Sequence, residues 1–173
     1  MIGVYGCIAS SCILHLEGLS TNCPIRGGID VGLGLDIGKP GDPEVYGPVL
    51  GNAYNLENNV AEYPRILVSK GLIEYLERAA RLPQTTPLGH LVTSLAAECK
   101  QLITVDTDGK PMLDFLGEKM AQITADQRQQ HFTGIIECIA EQIRMAQAEN
   151  DSKLLGRYDK LAAYVESRSA LWK

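Results

Sequence analysis

The fold is decided by RGGIDVG at residues 26–32, EVYGPVLGNAYNLE at 44–57 and YPRILVS at 63–69. Apolar residues recur through Ile25–Val31 and Leu33–Ile37, and this pattern predicts two short strands, with glycines where neighbouring backbones approach closely. A turn is predicted at 38–43, where the sequence reads GKPGDP, because glycine and proline interrupt regular structure. The segment therefore begins as two strands followed by a turn.

A helix is predicted from Pro48, because proline is tolerated in a first turn and the apolar period becomes helical there. One face of this helix carries the apolar residues Val49, Ala53, Leu56 and Val60. The run RILV at 65–68 has the composition of a short buried strand. The whole unit is therefore predicted as strand, strand, helix, strand.

A leading helix is predicted over residues 2–19, with an apolar face formed by Tyr5, Ile8, Cys12, Leu16 and Leu19. A signal peptide is not expected, because the first basic residue is Arg26 and none precedes the apolar run. A membrane span is not expected either. The apolar run contains Ser10, Ser11 and His15 and is interrupted by Glu17, so it falls short of the ~20 residues that a span needs.

The segment after the central unit begins with Ser69, a predicted N-cap for a helix that continues to about Arg81. The prolines of LPQTTP at 82–87 end that helix, and Leu88–Cys99 is ambiguous between element types. A β-hairpin is predicted around DTDGKP, with its turn at Asp108-Gly109, between Leu102–Val105 and Met112–Leu116. DTDG also opens calcium loops, but the closing glutamate and the following helix are missing, so turn chemistry is preferred.

Two helices are predicted to close the chain, at about 124–148 and from Ser152 to about Arg168. Their apolar stripes are Phe132, Ile135, Ile136, Ile139 and Ile143 on the first, and Leu154, Tyr158, Leu161 and Val165 on the second. The short linker AENDS makes them antiparallel neighbours. The pair either caps the sheet, which is preferred, or uses its outer face for dimerisation.

The length is that of one domain, since a chain of 173 residues can bury roughly 70% of the surface that its unfolded form exposes. A net charge of −5 without a basic run argues against nucleic acid and anionic membranes as partners. The five cysteines form no CxxC pair, which predicts small buried hydrophobes in a cytoplasmic protein. The three histidines have no Ser, Cys or Asp partner at a recognisable spacing, so they are expected to be packed or on the surface. A hydrolase that uses one of the histidines or cysteines therefore has only the presence of these residue types in its favour.

Taken in order, RGGIDVG, EVYGP, the helix with AYNLE, and YPRILVS resemble the second half of the catalytic domain of class III nucleotidyl cyclases. The resemblance is closest to the bacterial branch that includes the anti-phage pyrimidine cyclases of the Pycsar type. DTDGKPMLDFL at 106–116 and KLLGRYDKLAAYVE at 153–166 resemble the C-terminal extension of that branch. An anti-phage role follows from this analogy alone.

The resemblance implies an α/β (α+β) fold, with a ferredoxin-like, mostly antiparallel sheet, packed helices and a C-terminal helical hairpin. Residues 1–81 would form the C-terminal half of a cyclase-like core, and 82–173 a family-specific hairpin and two-helix extension within the same structural domain. The implied reaction converts a nucleoside triphosphate into a 3′,5′-cyclic nucleotide and pyrophosphate with Mg²⁺ or Mn²⁺. The family's site forms between two subunits, so a homodimer is expected.

The site residues that the resemblance implies are Asn52 and Asn55 in catalytic roles, and Arg26, Asp30, Glu44 and Tyr54 at the nucleotide. Glu44 lies three residues before Gly47, at the position that reads the base in purine cyclases. Its carboxylate could accept a hydrogen bond from a base N–H, or it could be a solvated acid at the end of a loop. Tyr54 is either near the nucleotide or a partly buried aromatic beside the apolar stripe.

The resemblance lacks its metal-binding aspartates, which the family places upstream of the segment that matches RGGIDVG. Only 25 residues precede Arg26 here, and Glu17 is their one acidic residue, so no metal ligands are identifiable. The family's transition-state asparagine would fall at Gly51 and its arginine at Asn55, whereas Asn52 is one residue off and could serve only if the helix register shifted. We therefore expect an incomplete cyclase homologue that is inactive alone, or a non-catalytic module for interaction or nucleotide sensing.

Overall fold

The computed structural model describes residues 1–39, 41 and 44–172, which contain seven α-helices and six short strands. The helices are α1 Ile2–Ser20, α2 Pro48–Asn55, α3 Lys70–Ala80, α4 Pro87–Gln101, α5 Glu118–Ile123, α6 Arg128–Ala148 and α7 Ser152–Arg168. The strands are β1 Gly27–Ile29, β2 Leu35–Asp36, β3 Val45–Tyr46, β4 Ile66–Val68, β5 Ile103–Val105 and β6 Pro111–Leu113. This mixture of helix and sheet agrees with the predicted α+β class.

The main sheet has the strand order β1-β4-β6-β5 and contains both parallel and antiparallel pairs. β1 and β4 are parallel, with Gly27 opposite Ile66, and α2 lies in the connection between them. β6 is antiparallel to β4, with Leu67 opposite Met112, and antiparallel to β5. β2 and β3 form a separate antiparallel pair. β1 is therefore an edge strand of the main sheet.

The core lies where α1 packs against α4 and α6, and where α6 packs against α7. The inward face of α1 is fully buried at Ile8, Cys12, Leu16 and Leu19. Trp172 follows α7 and is also buried; its indole N–H donates to the Leu116 carbonyl at 2.8 Å. The C-terminal helix pair is thus packed on the domain.

α1 is the one helix among the described residues that is long and apolar enough to cross a membrane, with a mean hydropathy of 1.4. Core helices of soluble proteins and N-terminal signal sequences meet the same criterion. Because the inward face of α1 packs on α4 and α6, the helix has a place in the folded domain. The absence of a membrane span remains a prediction.

In the central unit, β1, α2 and β4 lie where strand, helix and strand were predicted, while the segment between β1 and α2 differs from the prediction. The strand predicted over Leu33–Ile37 shrinks to β2, and the unpredicted β3 pairs with it, so the central unit has four strands rather than three. The predicted turn at 38–43 includes residues 40, 42 and 43, which lie outside the described residues. The helix α2 continues into a π-helical turn at Leu56–Val60.

The second half follows the prediction with smaller corrections. The ambiguous stretch Leu88–Cys99 lies in α4, because Thr86 caps the helix by accepting from the Gly89 N–H at 3.1 Å. The hairpin around DTDGKP is confirmed as β5 and β6, and Gly109 takes the left-handed turn conformation with φ 77°. The first closing helix begins at Arg128 rather than near residue 124, and Ile136 on its predicted apolar stripe is exposed.

Candidate functional site

Asp30 lies directly after β1, and its carboxylate accepts hydrogen bonds from three parts of the unit. The Asn52 amide on α2 donates to it at 3.0 Å, the Val31 N–H donates at 2.8 Å, and the Ser69 hydroxyl also donates. The first of these contacts joins a predicted nucleotide-binding residue to a predicted catalytic residue. Asp30 and Asn52 are therefore brought together by the fold.

Ser69 gives this cluster its connection to α3. Its hydroxyl oxygen accepts from the Leu72 N–H at 2.9 Å, as an N-cap should, while its proton goes to Asp30. The Asp30 carboxylate thus lies beside a helix N-terminus, where a negative charge is stabilised. Partial burial raises the pKa of Asp30, but the hydrogen bonds from Ser69, Asn52 and the Val31 N–H outweigh it and bring the pKa below its usual range.

The close approach of α2 to β1 depends on Gly28. A Cβ added to Gly28 would lie 2.2 Å from the Ala53 carbonyl oxygen and 2.7 Å from the Leu56 Cβ. No side chain fits into that space without moving the helix backbone. The second glycine of RGGI therefore lets α2 lie close to the sheet, at the distance where Asn52 reaches Asp30.

The other predicted residues do not join this cluster. The Asn55 side chain accepts a hydrogen bond from the Asn59 amide at 2.8 Å, one turn further along the helix. Tyr54 is 62% exposed, which does not support the alternative of a partly buried aromatic, and its place at the nucleotide remains a prediction. Glu44 is exposed beside β3, where its carboxylate accepts from the Tyr46 hydroxyl at 3.4 Å.

Arg26 precedes β1 and lies at the opposite end of the strand from Asp30. Four residues of extended chain correspond to about 13 Å, which is the separation of the two residues along the strand. The Arg26 guanidinium donates to the Ala61 carbonyl at 3.2 Å and faces α7. Among the described residues, side-chain hydrogen bonds therefore join two of the six predicted site residues, Asp30 and Asn52.

Arg65, which was not predicted to have a role, is the centre of a buried charge cluster. Its side chain is 1% exposed and donates to Asp108 at 2.7 Å and also to Asp106. The Tyr63 ring lies 4.5 Å from the guanidinium carbon, and its hydroxyl donates to Asp106 at 2.5 Å. The Arg65 guanidinium holds the pKa of Asp108 well below its usual range. The aspartates of DTDG thus tie the hairpin turn to β4.

The cysteines behave in two ways. Cys12, Cys99 and Cys138 are buried, as expected of small hydrophobes, whereas Cys7 and Cys23 are exposed. Burial, with a smaller contribution from Asp114, raises the pKa of Cys12 to about 12, and burial raises the pKa of Cys99 to about 11. These two side chains are therefore protonated thiols at neutral pH, which removes them as nucleophiles.

The residues around Asp30 do not fit the Mg²⁺ or Mn²⁺ that the resemblance implies. A hard divalent cation needs several oxygen ligands, whereas Asp30 is the one carboxylate in a cluster of N–H and O–H donors. Within residues 1–39, 41 and 44–172, no group of three or more His, Cys, Asp or Glu side chains is placed to hold a metal. The cofactor remains a prediction.

The structure therefore contains three polar features: the hydrogen-bonded Asp30–Asn52–Ser69 cluster, the buried Arg65 cluster and the Arg26 surface. In comparisons with known proteins, no family model, no curated protein and no solved structure matches this chain.

Proposed function

We propose that this chain is a class III nucleotidyl cyclase homologue that carries the downstream half of the catalytic core. The observation that supports this most is the contact between Asp30 and Asn52, at 3.0 Å. It joins the RGGID and GNAYN segments, and the parallel pairing of β1 with β4 adds the PRILV segment to the same unit. The three segments that carry the resemblance thus belong together in space as well as in order.

The finer fold in this proposal is the ferredoxin-like cyclase core, to which β1 would contribute an internal strand. Its pairing with β4 uses the Gly27 N–H, which donates to the Arg65 carbonyl at 3.1 Å, and the Ile29 carbonyl, which accepts from the Ser69 N–H at 2.9 Å. Backbone groups alternate in direction along a strand, so those of Gly28 point toward the outer edge. An upstream strand that pairs there would bring metal-binding carboxylates toward Asp30 and Asn52.

A homodimer is the proposed assembly, and the β2–β3 pair supports it. This pair, the residues that flank β2 and the helix α2 expose large apolar side chains, namely Leu33, Leu35, Ile37, Val45, Tyr46, Leu50 and Tyr54. Leu33 alone is 91% exposed. Exposed apolar residues that are concentrated in one part of a protein mark an interaction surface. The commonest symmetric assembly of soluble proteins is a homodimer.

The proposed chemistry is the conversion of a nucleoside triphosphate into its 3′,5′-cyclic nucleotide and pyrophosphate. In this chain, Asn52 would donate to the nucleotide while Asp30 and Ser69 hold its orientation. Asn55 would lie beside the phosphates, Tyr54 would offer an exposed ring for stacking, and Glu44 would accept from a base N–H. Because no cation takes the position of the family's arginine at Asn55, we expect low activity or none from the chain alone.

The second candidate function is a non-catalytic module that keeps the cyclase fold for interaction or nucleotide sensing. One observation favours it specifically. Asp30 accepts from three protein groups, and the side-chain oxygen (Oδ1) of Asn55 accepts from the Asn59 amide, so side chains expected at a reaction site are occupied by structural contacts. A sensing module would bind nucleotide without turning it over.

The test is product formation from ATP, GTP, CTP and UTP with Mn²⁺, measured on this chain and again with any upstream coding sequence restored. The cyclase proposal expects a cyclic nucleotide from the restored protein and little or none from the chain alone. Asn52→Ala should reduce that product, whereas Gln147→Ala, an exposed amide on α6, should not. A well-folded restored protein that forms no cyclic product, and whose nucleotide binding is weakened by Asn52→Ala, would replace the cyclase proposal with the sensing module.

A further inference from the structure

A cleft of about 490 Å³ lies between α7 and the segment around Asn59–Glu62, at the Arg26 end of β1. Four cationic side chains line it: Arg26, Lys153, Arg157 and Lys160. Glu62 is the one carboxylate in the lining, and it pairs with Lys160. The cleft is thus strongly positive in a chain whose net charge is −5.

Three of these cations remain available to a ligand. Within the part of the chain that the structure describes, Arg26, Lys153 and Arg157 form no ion pair with a carboxylate. Arg26 is instead oriented by the neutral Ala61 carbonyl. Cations gathered around one concavity repel each other, and an anion between them removes that cost.

The positive charge comes from side chains rather than from the end of α7. That helix begins with a capped N-terminus, because the Asp151 carboxylate accepts from the Leu154 N–H at 2.9 Å. Lys153, Arg157 and Lys160 are spaced four and three residues apart, so they share one face of the helix. This face is distinct from the apolar stripe that packs inward at Tyr158 and Leu161.

A second groove of about 210 Å³ continues from the cleft and shares Arg26, Glu62 and Arg157 with it. The groove adds apolar surface from Pro24, Pro64 and Leu154. Charged and apolar surfaces are therefore contiguous, with the two arginines at the boundary. Such a combination suits a molecule with an anionic end and an apolar or planar remainder.

We propose that this cleft binds a small phosphorylated molecule, with its phosphate oxygens against Arg26, Lys153 and Arg157. A planar guanidinium can donate two parallel hydrogen bonds to a phosphate, and a lysine adds a mobile point charge. Asn58 and Asn59 line the same space and supply amide donors. The site lies at the opposite end of β1 from Asp30 and shares only Arg26 with the residues that the resemblance places at the nucleotide, so it can bind its ligand whether or not the chain is part of a cyclase.

The test is isothermal titration of the full chain at low salt with pyrophosphate, ATP and, as the phosphate-free control, adenosine. We expect pyrophosphate and ATP to bind and to weaken as salt rises, because exposed charges are screened. Arg157→Gln should weaken binding about tenfold or more, which corresponds to one charged hydrogen bond. Arg144→Gln on α6, 71% exposed, removes the same charge away from the cleft and should leave binding unchanged.

Lys153→Gln should also weaken binding, and because Lys153 is exposed, this variant is expected to fold normally. Thermal melting of Arg157→Gln and Lys153→Gln checks that both variants are folded. ATP binding tenfold tighter than pyrophosphate would assign the groove to the organic part of the ligand, while equal affinities would assign the site to the phosphates alone. The proposal is overturned if neither anion binds, if Arg144→Gln weakens binding as much as Arg157→Gln, or if adenosine binds as tightly as ATP. Asn52→Ala removes the amide on which the cyclase proposal rests and should leave this binding unchanged, so the two proposals can fail separately.

Discussion

Arg65 and Asp108 connect two parts of the sheet that are distant in the sequence: the guanidinium Nη2 lies 2.7 Å from the Asp108 Oδ2. The arginine precedes β4, and the aspartate belongs to the turn between β5 and β6. Asp106 of the same turn completes the cluster at 7% exposure. The hairpin is thus held on the sheet by charge as well as by strand pairing.

Replacing Arg65 with methionine should destabilise the domain by about 3–5 kcal/mol, because it leaves the buried Asp106 carboxylate, and the partly exposed Asp108, without their partner. The measurement is urea unfolding followed by circular dichroism. Arg81→Met is the matched control, since Arg81 is 79% exposed and lies 3.8 Å from Glu77. That surface pair should contribute at most about 1 kcal/mol. Equal midpoints for the two variants would contradict the role given to Arg65.

Gly28→Ala should destabilise the domain by roughly 1–3 kcal/mol or more, because its Cβ would meet the backbone of α2. Gly51→Ala makes the same chemical change on α2, where nothing lies within 4 Å of the added carbon. This control should be neutral or stabilising by up to about 1 kcal/mol. The free energies of unfolding of the two variants check the expectation, and a tolerated Gly28→Ala would mean that α2 does not lie this close to β1.

His15 should make stability depend on pH. It is fully buried, with its ring 4.4 Å from that of Phe115, and burial lowers its pKa to about 4, despite a smaller opposing effect of the Pro64 carbonyl. The unfolded chain therefore binds the proton more tightly than the native one. As pH falls from about 6.5 to 4, this residue should remove on the order of 3 kcal/mol of stability, with no further loss below that range.

The His15 expectation is checked by urea unfolding at a series of pH values. His15→Leu should reduce the loss of stability between pH 6.5 and 4, whereas His90→Gln, at an exposed position, should leave the profile as it is. A wild-type profile that is flat over this range would show that His15 is protonated with little cost in the folded state.

Leu35→Lys and Tyr46→Lys should convert a dimer into a monomer, because both introduce charge on the exposed β2–β3 surface. Light scattering after size exclusion measures the mass in solution. Leu88→Lys is the control, since Leu88 is 69% exposed on α4, away from that surface. A wild-type chain that is monomeric at high concentration would remove this surface as a dimer interface.

Elements with strong local signals were predictable from sequence. The cap of α3 at Ser69 was predicted from residue type and position, and the hairpin turn from Asp108-Gly109. β3 was missed because two residues, Val45 and Tyr46, are too short a run to show strand alternation. Its partner β2 is equally short, so each strand depends on the other rather than on its own sequence.

The site was less predictable because its contacts join residues far apart in the chain. Asp30 and Asn52 were both chosen through resemblance, but no pattern indicated that they bond to each other across 22 positions. Arg65 was predicted only as part of a buried strand. A cation in such a strand needs a buried anion, and the two aspartates of the predicted turn, Asp106 and Asp108, were candidates for it. The basic face of α7 is also recognisable in the sequence, from the helical spacing of Lys153, Arg157 and Lys160, whereas the apolar stripe predicts only the face that packs inward.

Trp172 can report on the order of folding events, because it is the only tryptophan and its fluorescence depends on its own packing. Its indole N–H donates to the Leu116 carbonyl, just after β6. The helices α6 and α7 are neighbours in sequence, whereas β4 must find β6 across more than 40 residues, as the Leu67–Met112 pair shows. Local contacts generally form before distant ones. We expect helical circular dichroism to recover in stopped-flow refolding before the fluorescence of buried Trp172. Recovery of both signals at one rate would instead mean that helices and sheet assemble in a single step.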